Sequence, residues 1–344
     1  MKLTVDIRKK FKDFELCVDF EAGNGVFGLL GPSGCGKSLT LRCIAGIERP
    51  DSGIIRLDDK VLFDSSAGID LSPQKRRVGY LFQSYALFPN MTLEQNISAS
   101  PCGKKNCSEY ISLFYLNGLE KHYPHELSGG QKQRAALARM LAAEPEMVML
   151  DEPFSSLDRD LRLRLEGKIA EISRDFGGTV LFVSHDMDEV FRLSDKVAVI
   201  ENGRIVDTAP KRELFEKPNT VASARLTGCM NISSLVCDEQ GVFASDWGIT
   251  LPCGHNVGYG YVGCRAQNFE ICSEKNGADV FECEIVRITE NMFSYTVFFR
   301  NKGYISEGEG HTLVFETDKD TWHKLDKEKL FLRPVHEKLF YMVK

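Results

Sequence analysis

Apolar and polar residues alternate from Phe14 to Glu21. Phe14, Leu16, Val18 and Phe20 fall on one side, and Glu15, Cys17, Asp19 and Glu21 on the other. A period of two predicts a strand with one wet face. A second apolar stretch, Val26 to Leu30, runs into a glycine-rich turn and then a helix starting at Lys37. Thr92 to Glu126 reads as helices and loops interrupted around Pro101 to Lys105. Ser128 to Ala143 reads as one helix, with Ala135, Ala136, Leu137, Met140 and Leu141 available for burial. Met147 to Leu150 is a short, wholly apolar run ending at Asp151, as expected of a strand covered on both faces of a parallel sheet. Leu165, Ile169, Ile172 and Phe176 form one stripe of a helix from Asp158 to Phe176, which Gly177 and Gly178 stop. Thr179 to Val183 is another buried strand, and Val197 to Ile200 and Arg204 to Val206 flank an Asn202-Gly203 hairpin turn.

After Pro218 the texture changes. Short runs such as Phe281 to Val286, Tyr295 to Phe299 and His311 to Phe315 alternate with glycine or charged turns, the mark of a small all-β module. A chain of 344 residues exceeds the usual size of one domain, so a large domain plus a smaller one is expected. The boundary falls at 215 to 230. This gives an α/β domain over 1–220, with a helical subdomain at about 92–145, and a β-rich domain over 225–344.

Composition narrows the function classes. The formal net charge of -6 gives no general reason to expect a nucleic-acid partner. The first twenty residues carry charges every few positions, unlike a secretory signal, and no segment approaches the roughly 20 apolar residues that cross a bilayer. The expected location is the cytoplasmic face of a membrane, reached through another protein. Eleven cysteines are scattered without a Cys-x-x-Cys pair, which favours free thiols acting as small hydrophobes. Cys102 and Cys107 are the least implausible half of a zinc site. Trp247 and Trp322 read as core residues.

The chemistry is concentrated in a few places. Residues 31 to 38 read GPSGCGKS, the Gly-x-x-x-x-Gly-Lys-Ser phosphate loop, in the strand–turn–helix context it requires. Gly31, Gly34 and Gly36 let the backbone turn tightly, with N–H groups pointing at a phosphate at the helix start. Pro32, Ser33 and Cys35 complete the loop and Leu39 follows it. Lys37 would reach the β- and γ-phosphates of ATP, and the Ser38 hydroxyl would ligate Mg2+. Asp151 and Glu152 end a buried strand, where neighbouring side chains diverge: Asp151 is placed to hold Mg2+, directly or through water, and Glu152 to polarise the attacking water. His185, after the strand TVLFVS, is a candidate contact for the γ-phosphate and for Glu152. Gln83, following Val78 to Phe82, gains meaning only from this set. In LSGGQKQR, Ser128 is a good helix N-cap, yet Gly129 and Gly130 lower helix propensity. Access to an anion explains them. With Gln131 they form a second phosphate-reading surface, which points to an anion shared between two subunits.

These residues closely resemble the ATP-binding-cassette ATPases over about residues 1 to 220. GPSGCGKS is similar to that family's phosphate loop, GYLFQ with Gln83 to its glutamine loop, LSGGQKQR to its signature, MLDEP to its magnesium and catalytic-glutamate strand, SSLD at 155 to 158 to its inter-subunit loop and SHD at 184 to 186 to its histidine switch. The resemblance implies Glu152, His185 and Gln83 as catalytic residues, and Ser38, Gln83 and Asp151 around Mg2+. It also implies a homodimer in which each ATP lies between one phosphate loop and the opposite signature. Permease subunits would face the Gln83 loop and segment 92–126, and an extracytoplasmic solute-binding protein would act indirectly. For adenine stacking, Phe11 or Phe14 could supply the aromatic residue; Phe14 already fits the strand's apolar face, so Phe11 is preferred.

The C-terminal part resembles the oligonucleotide-binding-like regulatory domain of bacterial solute-importer ATPases, through LTGCMNI at 226 to 232 and YVGCRAQNFEI at 261 to 271. Its expected partner is an oxyanion or a signalling protein, against the plainer reading of an added dimerisation surface. Residues 61 to 89 look like the molybdate and sulfate importer branch in their FD…L…KRRVGY arrangement, a pattern shared by spermidine, iron and sugar importers. Molybdate or tungstate is the leading solute. A soluble ATPase of DNA repair or translation and an efflux pump are the rival classes.

Overall fold

Along Glu15–Ala22, buried Leu16, Val18, Phe20 and Ala22 alternate with more exposed neighbours, so this strand shows its sheet one apolar face. It pairs antiparallel with Leu3–Lys10, which pairs antiparallel with Ser52–Leu57. The apolar strands Met147–Asp151 and Thr179–Val183 are buried throughout and lie parallel to one another. The computed structural model describes residues 1–82, 84–100, 103–154, 157–238, 241–252, 258–304 and 311–343. Its chain forms two compact units, Met1–Lys211 and Arg212–Lys344.

In the first unit a single eleven-stranded sheet runs from Ile69–Asp70 at one edge to Val78–Leu81 at the other. The half near Val78–Leu81 is parallel: Lys196–Glu201, Gly25–Leu30, Thr179–Val183, Met147–Asp151 and Val78–Leu81 follow one another. Register aligns Leu29 with Val183 and Val183 with Asp151. The chain therefore leaves three adjacent strands at one level, at Gly31, Glu152 and Ser184, the carboxyl edge where open α/β sheets place ligands.

Helix starts follow side-chain capping. The expected helix from Asp158 begins at Arg159, because the Asp158 carboxylate accepts the Leu161 N–H from the N-cap position. Ser128 likewise caps Gly129–Leu141, with Gln131 closing a reciprocal capping box. The segment around 92–126 holds helices Leu93–Ser98 and Gly103–Leu113 and a short three-ten turn, Pro124–Glu126. Asn202 and Gly203, with φ of 48° and 76°, make the left-handed hairpin turn between Lys196–Glu201 and Arg204–Pro210.

The second unit contains two five-stranded antiparallel sheets, the β-rich, oligonucleotide-binding-like class expected. Trp247 and Trp322 lie in its core, where Phe269, Phe281, Phe299 and Phe315 pack edge to face. Among the described residues short helices precede or interrupt the β texture: Lys211–Glu216, Val221–Leu226, capped by Thr220, and Lys319–Lys324, capped by Asp318. The strand expected over Phe281 to Val286 extends to Glu290, paired with Ser294–Asn301. Its outer half is exposed, including Val286 and Ile288, which alternate there with Arg287 and Thr289.

Candidate nucleotide-binding site

Gly31 leaves the strand Gly25–Leu30 where no side chain fits: a Cβ would stand 2.3 Å from the Ile200 carbonyl oxygen and 2.6 Å from Cys35 Sγ. Gly34 and Gly36, at φ of 80° and 111°, complete the turn in the left-handed region. The loop delivers the N-terminus of helix Lys37–Ala45, a region of outward N–H groups and positive potential. Lys37 is buried to 7% exposure and folds back across the loop, its Nζ donating to the Gly31 carbonyl at 2.7 Å and the Pro32 carbonyl at 2.9 Å. Pro32 is exposed. Cys35 is buried beneath the loop with its sulfur 3.8 Å from Lys37 Nζ. A cavity of about 390 Å³ opens here, lined by Phe14, Ser33, Gly34, Gly36, Lys37, Ser38, Leu39 and Glu152.

Behind the cavity, Ser38 Oγ donates to Asp151 Oδ1 at 2.9 Å and the Tyr80 hydroxyl donates to Asp151 Oδ2 at 3.1 Å. Asp151 is only 3% exposed. Burial raises its pKa above the usual carboxylate value, against the bonds from Ser38 and Tyr80, which lower it. Burial likewise pushes the Tyr80 phenol upward, reinforced by the Asp151 charge, so Tyr80 remains a hydrogen-bond donor. Glu152 adopts a left-handed φ of 50° and its N–H donates to Val183 across the strand ends, which turns its side chain toward the cavity. Its Oε1 lies 3.2 Å from His185 Nδ1. Gln133 Nε2 donates to the Glu152 carbonyl at 3.3 Å, tying the helix Gly129–Leu141 to the same turn. The His185 loop is held by Ser184 Oγ, which donates to Glu189 Oε2 at 2.6 Å, while Asp186 caps the following helix, Met187–Leu193.

The donor set suits Mg2+ and a polyphosphate. Ser38 and Asp151 supply hard oxygens, the ligand type Mg2+ takes in small numbers beside substrate phosphates, and Lys37 and the helix start supply cationic and N–H partners. Among the described residues no group of three or more His, Cys, Asp or Glu side chains could hold a metal, and Cys107 bonds a backbone carbonyl instead. Cys102, the other half of the zinc reading, lies outside the described residues, as do Gln83 and residues 155 and 156 of the SSLD stretch. The described cysteines are free. Ser128, Gly129, Gly130 and Gln131 do not line the cavity; Ser128 and Gly129 are exposed at their helix start. Phe11 does not line it either. Phe14 does, and Phe11 lies 6.4 Å away ring to ring, 41% exposed, with Lys9 Nζ above its face.

The ABC transporter family profile matches residues 15–155. The putrescine transport ATP-binding protein PotG of Escherichia coli is 35% identical over 286 residues, covering 76% of this chain and 74% of that protein. The chain belongs to the ABC transporter family. The molybdenum import ATP-binding protein ModC of Rhodospirillum rubrum is 40% identical to this ABC protein over 223 residues, 63% of the chain, and the match spans 60% of that relative's length. A solved ATP-binding cassette, in a dimeric post-hydrolysis state bound to ADP and Pi, superposes with a TM-score of 0.55 over 62% of this chain and 99% of its own, at 24% identity. That likeness shows the cassette fold. No helix among the described residues is long and apolar enough to cross a membrane.

Two residues of the site escape local sequence reading. Tyr80 enters because Val78–Leu81 pairs in parallel with Met147–Asp151, a neighbour relation that no spacing reveals. Gln133 enters one turn into the signature helix, where its helical position put it among ordinary polar residues. Its complete burial in a polar helix start is the signal, visible only once the helix is docked.

Proposed function

We propose that this ABC protein is the nucleotide-binding subunit of a solute importer, binding and hydrolysing ATP with Mg2+. The observation that carries the reading is the convergence of Lys37, Ser38 and Glu152 on one cavity, with Asp151 bonded directly behind Ser38. Lys37 and the helix N-terminus bind the phosphates, Ser38 and Asp151 hold Mg2+, and the Phe14 ring takes the adenine-side role assigned to Phe11 on sequence alone. Bound Mg2+ would offset phosphate charge at the transferred group. Glu152 orients and deprotonates the attacking water, and His185, bonded to it, fixes its carboxylate. Ser128, Gly129, Gly130 and Gln131, which do not line the cavity, would meet the nucleotide of a second copy, so that closure of a homodimer drives the permease subunits. Replacing Glu152 by Gln removes the base and keeps the shape. Turnover should fall about 100- to 10,000-fold with nucleotide affinity retained; hydrolysis at the unchanged rate would overturn the assignment.

The solute is proposed to be molybdate or tungstate, delivered by an extracytoplasmic binding protein. Support comes from the stretch 61–89 and from a molybdenum-import relative, although a putrescine transporter matches over a longer stretch. ATPase stimulation in a reconstituted complex by a binding protein loaded with molybdate, and none by one loaded with putrescine, is the expected result. The reverse pattern would move the chain to the polyamine importers. The C-terminal unit is proposed to sense accumulated oxyanion, which saturable molybdate binding by the intact chain in the absence of permease would support and its absence would refute.

A further inference from the structure

The His185 side chain is 64% exposed and reaches Glu152 Oε1 at 3.2 Å, so the backbone on either side of it sets where the ring stands. Ser184 and Asp186 fold that backbone into a turn: Ser184 Oγ accepts the Asp186 N–H at 3.0 Å and donates its own proton to Glu189 Oε2 at 2.6 Å. Glu189 is buried, and its other oxygen, Oε1, lies 3.3 Å from Arg162 Nη1. The same nitrogen lies 3.4 Å from Asp186 Oδ2, while Asp186 Oδ1 accepts the Asp188 and Glu189 N–H groups. Arg162 thus meets both carboxylates that anchor the turn, and its Nη2 donates to the Leu157 carbonyl at 3.5 Å, just before its own helix, Arg159–Phe176. Behind the turn lies a cavity of about 70 Å³, lined by Glu152, Arg162, Ser184, His185, Asp186 and Glu189. That is several times the room one water needs, so on this side the turn is held by these bonds rather than by packing.

We infer that Arg162 is a positioning residue of ATP hydrolysis, which by neutralising Glu189 and Asp186 keeps the Ser184–Asp186 turn closed and His185 seated on Glu152. Without the guanidinium the two carboxylates repel, and Glu189 becomes a buried charge with no counter-ion, which a fold relieves by moving the group or by protonating it. Either outcome loosens the turn. Movement breaks the Ser184 bond, and protonation weakens it, because a neutral carboxyl is a poorer acceptor than a carboxylate. Burial already raises the Glu189 pKa; Ser184 and Arg162 oppose the rise, and the Asp186 and Glu166 charges add to it. Glu166 is itself bonded by Arg192, at 2.6 and 3.0 Å, which leaves Arg162 as the cation on Glu189 among the described residues. Arg162 does not line the nucleotide cavity; it acts through His185. The inference rests on the hydrolysis reading given above, in which His185 fixes the Glu152 carboxylate.

The test is single-turnover ATP hydrolysis by the intact chain, beside equilibrium binding of a fluorescent, non-hydrolysable ATP analogue. Arg162→Met, which keeps the stem and removes the charge, should slow hydrolysis about 10- to 100-fold with analogue binding unchanged. Adding Glu189→Gln removes the stranded charge and keeps an acceptor for Ser184, so the double variant should run about fivefold or more faster than Arg162→Met alone. An arginine that merely packs would leave the double variant as slow as the single one, and that result overturns the inference. In a His185→Ala background Arg162→Met should cost nothing further, because the group it positions is gone; a second loss of similar size overturns the inference as well. Ser184→Ala cuts the same chain of bonds without leaving a charge unpaired, should slow hydrolysis with analogue binding unchanged, and serves if Arg162→Met fails to fold; wild-type turnover in Ser184→Ala would count against the whole chain of bonds and overturn the inference. If the unaltered chain hydrolyses no ATP, or Glu152→Gln leaves the rate unchanged, the proposed function itself fails. If hydrolysis depends on Glu152 and Arg162→Met runs at the wild-type rate, only the role of Arg162 fails.

Discussion

Gly31→Ala tests how the phosphate loop is positioned, because the obstruction is backbone and cannot step aside. The new methyl carbon would stand 2.3 Å from the Ile200 carbonyl oxygen, and Cβ atoms essentially never come within 3.0 Å of a neighbour. Relief therefore needs a movement of 0.7 Å or more at the loop's first residue. Ile200 cannot supply it, since its strand Lys196–Glu201 is paired with Gly25–Leu30 on one side and Arg204–Pro210 on the other. The Gly31 carbonyl accepts Lys37 Nζ at 2.7 Å, so displacement passes directly to the lysine. A misplacement of this size at a phosphate-positioning group costs about 100-fold in rate. Overpacking should add about 1–3 kcal/mol of destabilisation.

Steady-state ATP hydrolysis and thermal melting read the two effects separately. The expected result is a kcat/KM lower by about 100-fold, with a Tm lowered by about 2–12 °C for a unit of this size. Gly23→Ala is the control, since no atom lies within 4 Å of its added carbon. Cys35→Ala in the Gly31→Ala background removes the second obstruction, the sulfur at 2.6 Å, and should recover only part of the loss. Wild-type kcat/KM in Gly31→Ala would refute the reasoning. Full rescue by Cys35→Ala would show that the sulfur, not the Ile200 carbonyl, sets the limit.

Two further substitutions probe the buried charges around the site. Burial raises the Asp151 pKa in the folded chain, so between the usual carboxylate value and the raised one the folded state holds more protons than the unfolded state, and stability falls as pH rises through that window. Asp151→Asn should therefore raise the nucleotide-free Tm at neutral pH and flatten its dependence on acid pH, while abolishing Mg2+-dependent hydrolysis; a lower Tm at neutral pH would refute this. Arg76, fully buried, donates to the carbonyls of Cys43, Ile44 and Leu71 and to Asp70, pinning the end of the helix that begins at Lys37. Arg76→Met leaves those acceptors without their donor and should cost about 3 kcal/mol in urea unfolding, against a null expectation of less than about 1 kcal/mol for a surface arginine.

What could be read along the chain was whatever depends on neighbours in sequence. The phosphate loop is such a feature: Gly31, the turn at Gly34 and Gly36 and the Lys37 helix start all lie within eight consecutive residues, whereas the Ile200 carbonyl that bars a side chain at Gly31 comes from a distant strand. The strand Met147–Asp151 is another, because burial on both faces leaves an unbroken apolar run. Tyr80 illustrates the limit. Its partner Asp151 is 71 residues away, and the contact exists because two strands were placed side by side by the crossover between them. The choice between Phe11 and Phe14 depends on the same kind of contact: an aromatic at the edge of a strand's apolar face reads as core along the chain, and the Phe14 ring also reaches the wall above Gly36, where an added Cβ would meet it at 3.2 Å.

The signature segment joins the two kinds of information. Its capping pattern is local: Ser128 Oγ accepts the Gln131 N–H and Gln131 Oε1 accepts the Ser128 N–H, which accounts for both of those residues. The glycines between them are not needed for the cap, and neither lines the cavity of its own chain. At a helix start their N–H groups have no acceptor within the helix, and without side chains nothing shields them from an approaching anion. A cassette that keeps one anion-binding helix start inside a cavity and a second exposed elsewhere has the parts for two half-sites facing different molecules of nucleotide. On the proposed function, two copies in head-to-tail contact would satisfy both.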